Sequence, residues 1–84
     1  MSELELYKDA ILTVDLPSEG LRAGDVGTVV QRHESSTDAG LGYSVEFFDM
    51  TGRTVAVATV SASQLRAPTS SDLPSVRAVA RSAD

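Results

Sequence analysis

His33 is the only histidine in the 84-residue chain, and the chain has no cysteine. Transition-metal sites are built from several nitrogen or sulfur ligands, so a metal centre around this one histidine is disfavoured. A general base at His33 would need a neighbour that orients the imidazole ring, and Glu34 and Asp38 are close to it in sequence only. The sequence shows no nucleophile–base pair and no metal-ligand set, so we expect no enzymatic activity and no cofactor.

Four aspartates lie where a strand or turn is expected to begin or end: Asp9, Asp15, Asp25 and Asp49. Short carboxylates at such positions accept hydrogen bonds from nearby backbone amides and favour turns. No segment has the spacing of a calcium-binding loop. We therefore interpret these aspartates as local turn-forming groups.

Phe48 is the residue that most clearly suggests a binding surface. Apolar and polar residues alternate from Tyr43 to Phe47, which is the period of a strand with one buried face. Phe48 breaks the alternation, because adjacent residues of a strand point to opposite faces. It is expected either on the surface beside Tyr7, Met50 or Arg53, where aromatic residues and an arginine would have the composition favoured at interfaces, or buried under the N-terminal arm or at a bulge.

The elements that must position these residues are short strands. Gly24 and Gly27 precede the β-branched run Thr28–Val30, and glycine is expected where the backbone bends sharply or another backbone comes close. Turn signals separate the strand-forming runs along the chain, and no long helix is indicated. We predict a leading strand or ordered arm over 1–8, strands over about 9–14, 27–33, 43–47, 53–59 and 65–68, a long loop over 34–42 and one helical or 3-10 turn at 61–64.

This spacing of strands and turns predicts an all-β fold, a small five-stranded barrel, over residues 1–68. Closure of a barrel also removes the exposed edges of a sheet. Residues 69–84 are predicted to form a tail, for which two alternatives remain. The tail is either flexible, or it contains a short helix that begins near Pro74 with Asp72 as its cap.

The charge of the chain disfavours one class of partner. Its formal net charge is −5, with 12 acidic and 7 basic residues. Binding to a phosphate backbone depends on clustered Lys and Arg, whereas this chain has one lysine, Lys8, and scattered arginines. The acidic N-terminus predicts no secretion signal, and no apolar run is long enough for a membrane helix. We expect a cytoplasmic protein that does not engage a membrane, and its charge disfavours nucleic acid as a partner.

Four spaced elements carry a family likeness: the run 20–30 with its two inner glycines, the segment Gly42–Phe47, the turn Gly52-Arg53-Thr54, and Leu65-Arg66. In this order they resemble a bacterial family of small proteins known only as domain of unknown function 4926. The likeness covers about residues 6–68. It implies an SH3-like barrel and brings no established activity with it.

A second resemblance is to the SH3-like domain of the nitrile hydratase β subunit. It rests on Gly27–Val30, His33, the loop Asp38–Gly42 and the strand Tyr43–Phe47. That enzyme holds its metal in a cysteine cluster on another subunit, and this chain has no cysteine. The resemblance implies at most an accessory-subunit or chaperone-like role. The glycine pattern from Gly24 to Val29 is also similar to the short KOW element of ribosomal and transcription proteins.

These features predict a non-enzymatic binding module whose partner is a protein. The partner itself is unidentified, and the chain acts as a monomer or a homodimer. Loops at one end of the barrel, 15–24 and 34–42, are expected to recruit the partner. The alternatives are a KOW-like RNA- or ribosome-associated module, binding through Arg22, Arg32, Arg53 and Arg66, and an accessory partner of a nitrile-hydratase-type enzyme. The candidate contact residues are Leu16, Pro17, Leu41, Phe48 and Arg53.

Overall fold

A computed structural model describes residues 4–34 and 40–79 of the chain. It contains five strands and two short 3-10 turns. The strands are β1 Asp9–Leu12, β2 Val26–His33, β3 Gly42–Phe48, β4 Thr54–Ser61 and β5 Leu65–Arg66. One 3-10 turn, Pro17–Glu19, lies between β1 and β2, and the other, Ala62–Gln64, joins β4 to β5. The predicted turn at 61–64 is therefore confirmed.

The five strands form one antiparallel sheet with the order β4-β3-β2-β1-β5. Each of β1 to β4 pairs with its neighbour in sequence, and β5 returns to pair with β1. The all-β class and the five strands are confirmed. The two edges of the sheet are β4, with eight residues, and β5, with two.

The hydrophobic core is made by alternate residues of the strands. Tyr43, Val45 and Phe47 point inward as predicted, and all three are buried. They pack with residues from every other strand and from the β1–β2 loop; these are Ala10, Leu12, Leu21, Val29, Ala58, Val60 and Leu65. Because one face of the sheet makes the core, the other residues of each strand form an opposite, outer face.

The segment Arg22–Gly27 turns the chain into β2 and brings β2 against β3. Asp25 closes the turn, because its carboxylate accepts a hydrogen bond from the Arg22 N–H at 2.8 Å, and Gly24 has a φ of +96°. At Gly27 a Cβ atom would lie 2.6 Å from Val45 Cγ1 and 2.9 Å from the Glu46 carbonyl oxygen. The position therefore accepts no side chain, and the predicted close approach at Gly27 is confirmed.

Of the two alternatives predicted for the N-terminus, residues 4–8 form the arm, which is attached by a hydrogen bond from the Leu4 N–H to the Tyr43 hydroxyl at 3.0 Å. Another feature differs from the sequence-based prediction. Ser44, predicted on a wet face, is 9% exposed, because a hydrogen-bonded cluster lies over it. Residues 1–3, the loop tip 35–39 and residues 80–84 lie outside the described residues.

Of the two alternatives that the sequence left open for the tail, the short helix does not apply to residues 69–79, which contain no helix. The reason is visible at Asp72, the residue expected to cap it. Its carboxylate accepts hydrogen bonds from the Thr69 N–H at 2.7 Å and from Arg66, so it closes a turn that precedes it. The apolar residues that follow Pro74 are small, two valines and three alanines, so little burial would favour a helix over the extended chain.

We expect Gly27→Ala to lower the free energy of unfolding by about 1–3 kcal/mol, because an added methyl group meets backbone and buried side chains that cannot move freely. Chemical denaturation monitored by circular dichroism would measure the change. Val26→Thr is the matched control at the neighbouring exposed position and should cost about 0.5 kcal/mol or less. Equal stability of Gly27→Ala and the wild type would show that β2 and β3 are not this close.

Candidate functional site

The outer face of the sheet consists of rows of residues that the strand register places side by side. The first row runs across all five strands in the order Arg66, Ile11, Val26, Phe48 and Thr54. Ile11 lies opposite both Arg66 and Val26, and Phe48 lies opposite Thr54. The pairing of Thr28 with Glu46, continued by two residues, brings Val26 beside Phe48. The further rows are Asp9, Thr28, Glu46 and Val57, and then Gln31, Ser44 and Thr59.

An apolar patch lies where the first row meets the β3–β4 turn. Phe48 and Val26 are each 44% exposed, and Met50, at the tip of the turn, is 86% exposed. Arg53 is exposed at the other side of the same turn. We call Val26, Phe48, Met50 and Arg53 the turn-end patch. The sequence left open whether Phe48 is buried or on the surface, and the structure shows that it lies on the surface.

The turn that carries this patch is held in one shape by Asp49. Its Oδ1 atom accepts hydrogen bonds from the Thr51 N–H at 2.8 Å, the Thr51 hydroxyl at 2.7 Å and the Arg53 N–H at 3.0 Å. The Asp49 N–H in turn donates to the Arg53 carbonyl at 2.8 Å. Met50 and Arg53 are therefore presented from a fixed backbone, which reduces the entropy that a partner must remove on binding.

The other candidate contact residues are not all at this end of the sheet. The loop that carries Leu16 and Pro17 precedes β2, and the β3–β4 turn follows β3. Because β2 and β3 are antiparallel, the start of β2 lies beside the end of β3, so Leu16 and Pro17 lie at the same end of the sheet as Phe48. Leu16 is half-buried against the core, and Pro17 is exposed. Leu41 follows the opposite end of β2, is half-buried, and accepts a hydrogen bond from the Ala62 N–H at 2.9 Å. The two loops expected at one end therefore lie at opposite ends of β2.

A histidine–serine pair lies on the outer face and was missed in the sequence. His33 Nε2 is 2.7 Å from Ser44 Oγ, and Ser44 Oγ is 3.2 Å from Thr59 Oγ1. The three residues come from β2, β3 and β4, so their proximity depends on the strand register. Ser44 is buried between its two partners and is shielded from substrate, and the described contacts of His33 include no carboxylate that would orient the ring. We interpret this chain of hydrogen bonds as a link between the strands.

Two ion-pair clasps fasten the tail to the sheet. The Arg66 guanidinium meets both carboxylate oxygens of Asp72, at 2.9 and 2.7 Å. Arg77 makes a similar two-pronged contact with Asp25: its Nε lies 3.1 Å from Oδ1, and its second nitrogen bonds with Oδ2. Arg77 also donates to the Gly20 carbonyl at 3.2 Å. The tail thus crosses the β1–β2 loop at the turn that begins β2.

The clasps shift the pKa values of Arg66, Asp72 and Arg77. The hydrogen bond from Arg66, helped by the Thr69 backbone N–H, holds the pKa of the Asp72 carboxyl well below its usual range. The side-chain bond with Asp72 raises the pKa of Arg66, and the bond with Asp25 raises the pKa of Arg77. Both arginines stay charged and are neutralised by a carboxylate at contact distance.

A shallow groove of about 730 Å³ lies between the N-terminal arm and β5. Tyr43 and Leu65 form part of its apolar lining, and Lys8 and Arg66 lie along it with Glu5 and Asp9. The two signs of charge are mixed there, so the groove does not favour one sign of charged ligand. Within residues 4–34 and 40–79, no three His, Cys, Asp or Glu side chains come together as a metal site, and no helix could span a bilayer.

These features define a small antiparallel β domain with an apolar patch at one end of its outer face and a clasped tail. The family model for the domain of unknown function DUF4926 matches residues 6–67, and the protein belongs to this family. The match ends one residue after β5, so it includes the sheet and leaves out the tail. Searches of curated proteins and of solved structures found no match. The family resemblance is confirmed, while the SH3-like barrel and the likeness to a nitrile hydratase subunit stay predictions.

We expect Ser44→Ala to lower the free energy of unfolding by about 1–2 kcal/mol, because it removes the hydrogen bonds to His33 and Thr59. Denaturant titration would measure this loss, with the exposed Ser63→Ala as control. The wild-type protein should also resist labelling by a fluorophosphonate, a reagent for activated serines. Labelling of the wild type that disappears in Ser44→Ala would instead identify a reactive serine.

The Arg66–Asp72 clasp has a defined pH dependence. Because the folded-state pKa of Asp72 is lowered, its contribution to stability is present above the unfolded-state pKa and is lost as the pH falls through the folded value. A carbon-detected NMR titration should show no Asp72 midpoint near about pH 4, where an ordinary aspartate titrates. Arg66→Gln should raise the Asp72 midpoint towards that value, because only the bonds from Thr69 would remain, and Arg53→Gln should leave it unchanged. A wild-type midpoint near about pH 4 would contradict the clasp.

Proposed function

We propose that the protein is a non-enzymatic binding module that captures another protein through the turn-end patch. The observation that carries the proposal is the exposure of Phe48 on a strand whose other aromatic residues are buried. A half-exposed Phe stays in contact with water at a free-energy cost that burial in an interface would recover. Its neighbours Met50 and Arg53 belong to the residue types enriched at interfaces.

The chemistry of the partner follows from the composition of this patch. A surface with Val26, Phe48 and Met50 at its centre and one arginine at its rim favours an apolar contact with an acidic group beside it. The chain's own net charge of −5 gives the partner a further preference for a basic surface outside the contact. We propose the bacterial cytoplasm as the place of action, in keeping with the cysteine-free sequence.

Binding to nucleic acid is the less favoured alternative, because two of the four candidate arginines already form ion pairs with carboxylates. Of the four arginines that an RNA-binding surface would use, Arg32 contacts Glu34 at 2.8 Å and Arg66 contacts Asp72 at 2.7 Å. A phosphate would have to compete with a carboxylate at each of these positions. Counterion release, the source of affinity for a phosphate backbone, is correspondingly reduced.

The proposal is tested by capture from the native host at low salt, followed by mass spectrometry. We expect the wild type to retain one protein in near-stoichiometric amount and Phe48→Asp to lose it. Leu73→Asp is the matched control, because Leu73 is 89% exposed but lies in the tail. This variant should retain the partner.

Circular dichroism must show that Phe48→Asp is folded. Capture that survives in a folded Phe48→Asp variant would refute the role of the patch. Recovery of ribosomal proteins and RNA that is lost on nuclease treatment would favour the RNA-binding alternative instead.

A further inference from the structure

The two edges of the sheet are protected very differently. β5 has only two residues, one of them Arg66, and Pro68 follows two positions later. A short strand, a charge and a proline are the features by which proteins prevent edge pairing. β4 has eight residues, Thr54–Ser61, and includes no charged residue and no proline. Within the described chain β4 pairs with β3 alone, so its other side is an unprotected edge.

The register identifies which backbone groups point to this edge. The Ala62 N–H donates to the Leu41 carbonyl, so this pair of residues is a hydrogen-bonded one. Hydrogen-bonded and non-hydrogen-bonded pairs alternate in an antiparallel ladder. The backbone N–H and C=O groups of a non-hydrogen-bonded pair face away from the partner strand. By this alternation Val57 and Thr59 direct their N–H and C=O groups away from β3. Ser61 does too, but its N–H is bound by a side chain.

We propose that the β4 edge pairs with β4 of a second copy of the chain, in antiparallel orientation about a two-fold axis at Ala58. This arrangement places Val57 opposite Thr59 of the other copy, and Thr59 opposite its Val57. Both residues present outward backbone groups, so the two pairs exchange four backbone hydrogen bonds. Residues opposite each other in a ladder share a face, so both outer faces join into one surface.

The chemistry of the edge selects a second copy of the same strand. No like charges oppose each other, because β4 is uncharged throughout. A head-to-tail contact of β4 with β5 of another copy would find only two residues to pair, next to Pro68. The remaining choice, β4 with β4, uses the same surface twice and closes after two copies. A bulge between Phe47 and Phe48 disturbs the start of β4 and leaves Ala56–Ser61 regular for pairing.

Val57 supplies the side-chain contribution to the dimer. It is 55% exposed on the outer face, where no charged residue of β4 flanks it. In the dimer the two copies of Val57 become diagonal neighbours across the new ladder, at about 7–8 Å. Each subunit carries a net charge of −5, so the subunits repel at long range and added salt should strengthen the dimer.

Sedimentation velocity of the purified full chain over a range of concentrations tests the proposal. We expect a monomer–dimer equilibrium for the wild type, with a dissociation constant that falls as salt is added. Val57→Lys should raise that constant at least about tenfold. Val76→Lys is the control, because Val76 is 78% exposed in the tail and the substitution changes the charge by the same amount, and it should leave the constant unchanged. Mixing Val57→Lys with Val57→Glu should restore a dimer between the two variants.

Hydrogen exchange of the wild type tests the same pairing without a substitution. The Val57 and Thr59 amides should exchange more slowly as the protein concentration rises, while the Val60 amide, bound to β3, stays unchanged. A wild type that remains monomeric at every concentration, or a Val57→Lys variant that dimerises as the wild type does, would overturn the proposal. The dimer is measured with the purified protein alone, and its failure is distinct from loss of partner capture in Phe48→Asp.

Discussion

The close contact between β2 and β3 at Gly27 is the constraint on which the rest of the structure depends. With no side chain at Gly27, the chain passes within van der Waals distance of Val45, Phe47 and the backbone of β3. Because Gly27 fixes β2 against β3, it also fixes which residues of β3 point inward. Phe47 fills the core beneath Gly27, and Phe48 is consequently left on the outer face beside Val26. The surface that we propose for binding is thus a direct result of a packing requirement in the core.

The outer face of the sheet has two regions with different chemistry. At one end, His33, Ser44 and Thr59 satisfy one another by hydrogen bonds, so this region offers few groups for a ligand. At the other end, the apolar side chains of Phe48 and Met50 remain exposed to water. Apolar surface without a partner is where association gains most free energy. The two proposals, capture by the turn-end patch and pairing of β4, both use regions that the fold leaves uncovered.

The tail shows how an acidic protein can use its few cations internally. Arg66 and Arg77 each meet a carboxylate with two nitrogens, a geometry that the planar guanidinium matches better than a lysine would. The clasp at Asp25 falls on the turn that begins β2, so the tail reinforces the element on which the sheet depends. The same contacts remove positive charge from the surface and leave an apolar patch as the more distinctive feature.

The sequence by itself determined the class of fold, the five strands, the special roles of Gly24 and Gly27 and the inward direction of Tyr43, Val45 and Phe47. These features depend on local conformational preference and on a period of two, both of which are written into short segments. The family was also recognisable, because its spaced motifs lie in order along the chain.

Only the tertiary structure decided where the candidate surfaces lie. Three features depend on the register between strands: the proximity of Val26 to Phe48, the His33–Ser44 bond and the unprotected side of β4. This register is set by contacts between residues that are distant in sequence. The sequence left the tail open between two alternatives for the same reason, because Asp72 and Arg77 bond with residues that precede the tail's possible helix. Local patterns cannot specify such contacts, since their free energy arises only when the sheet has formed.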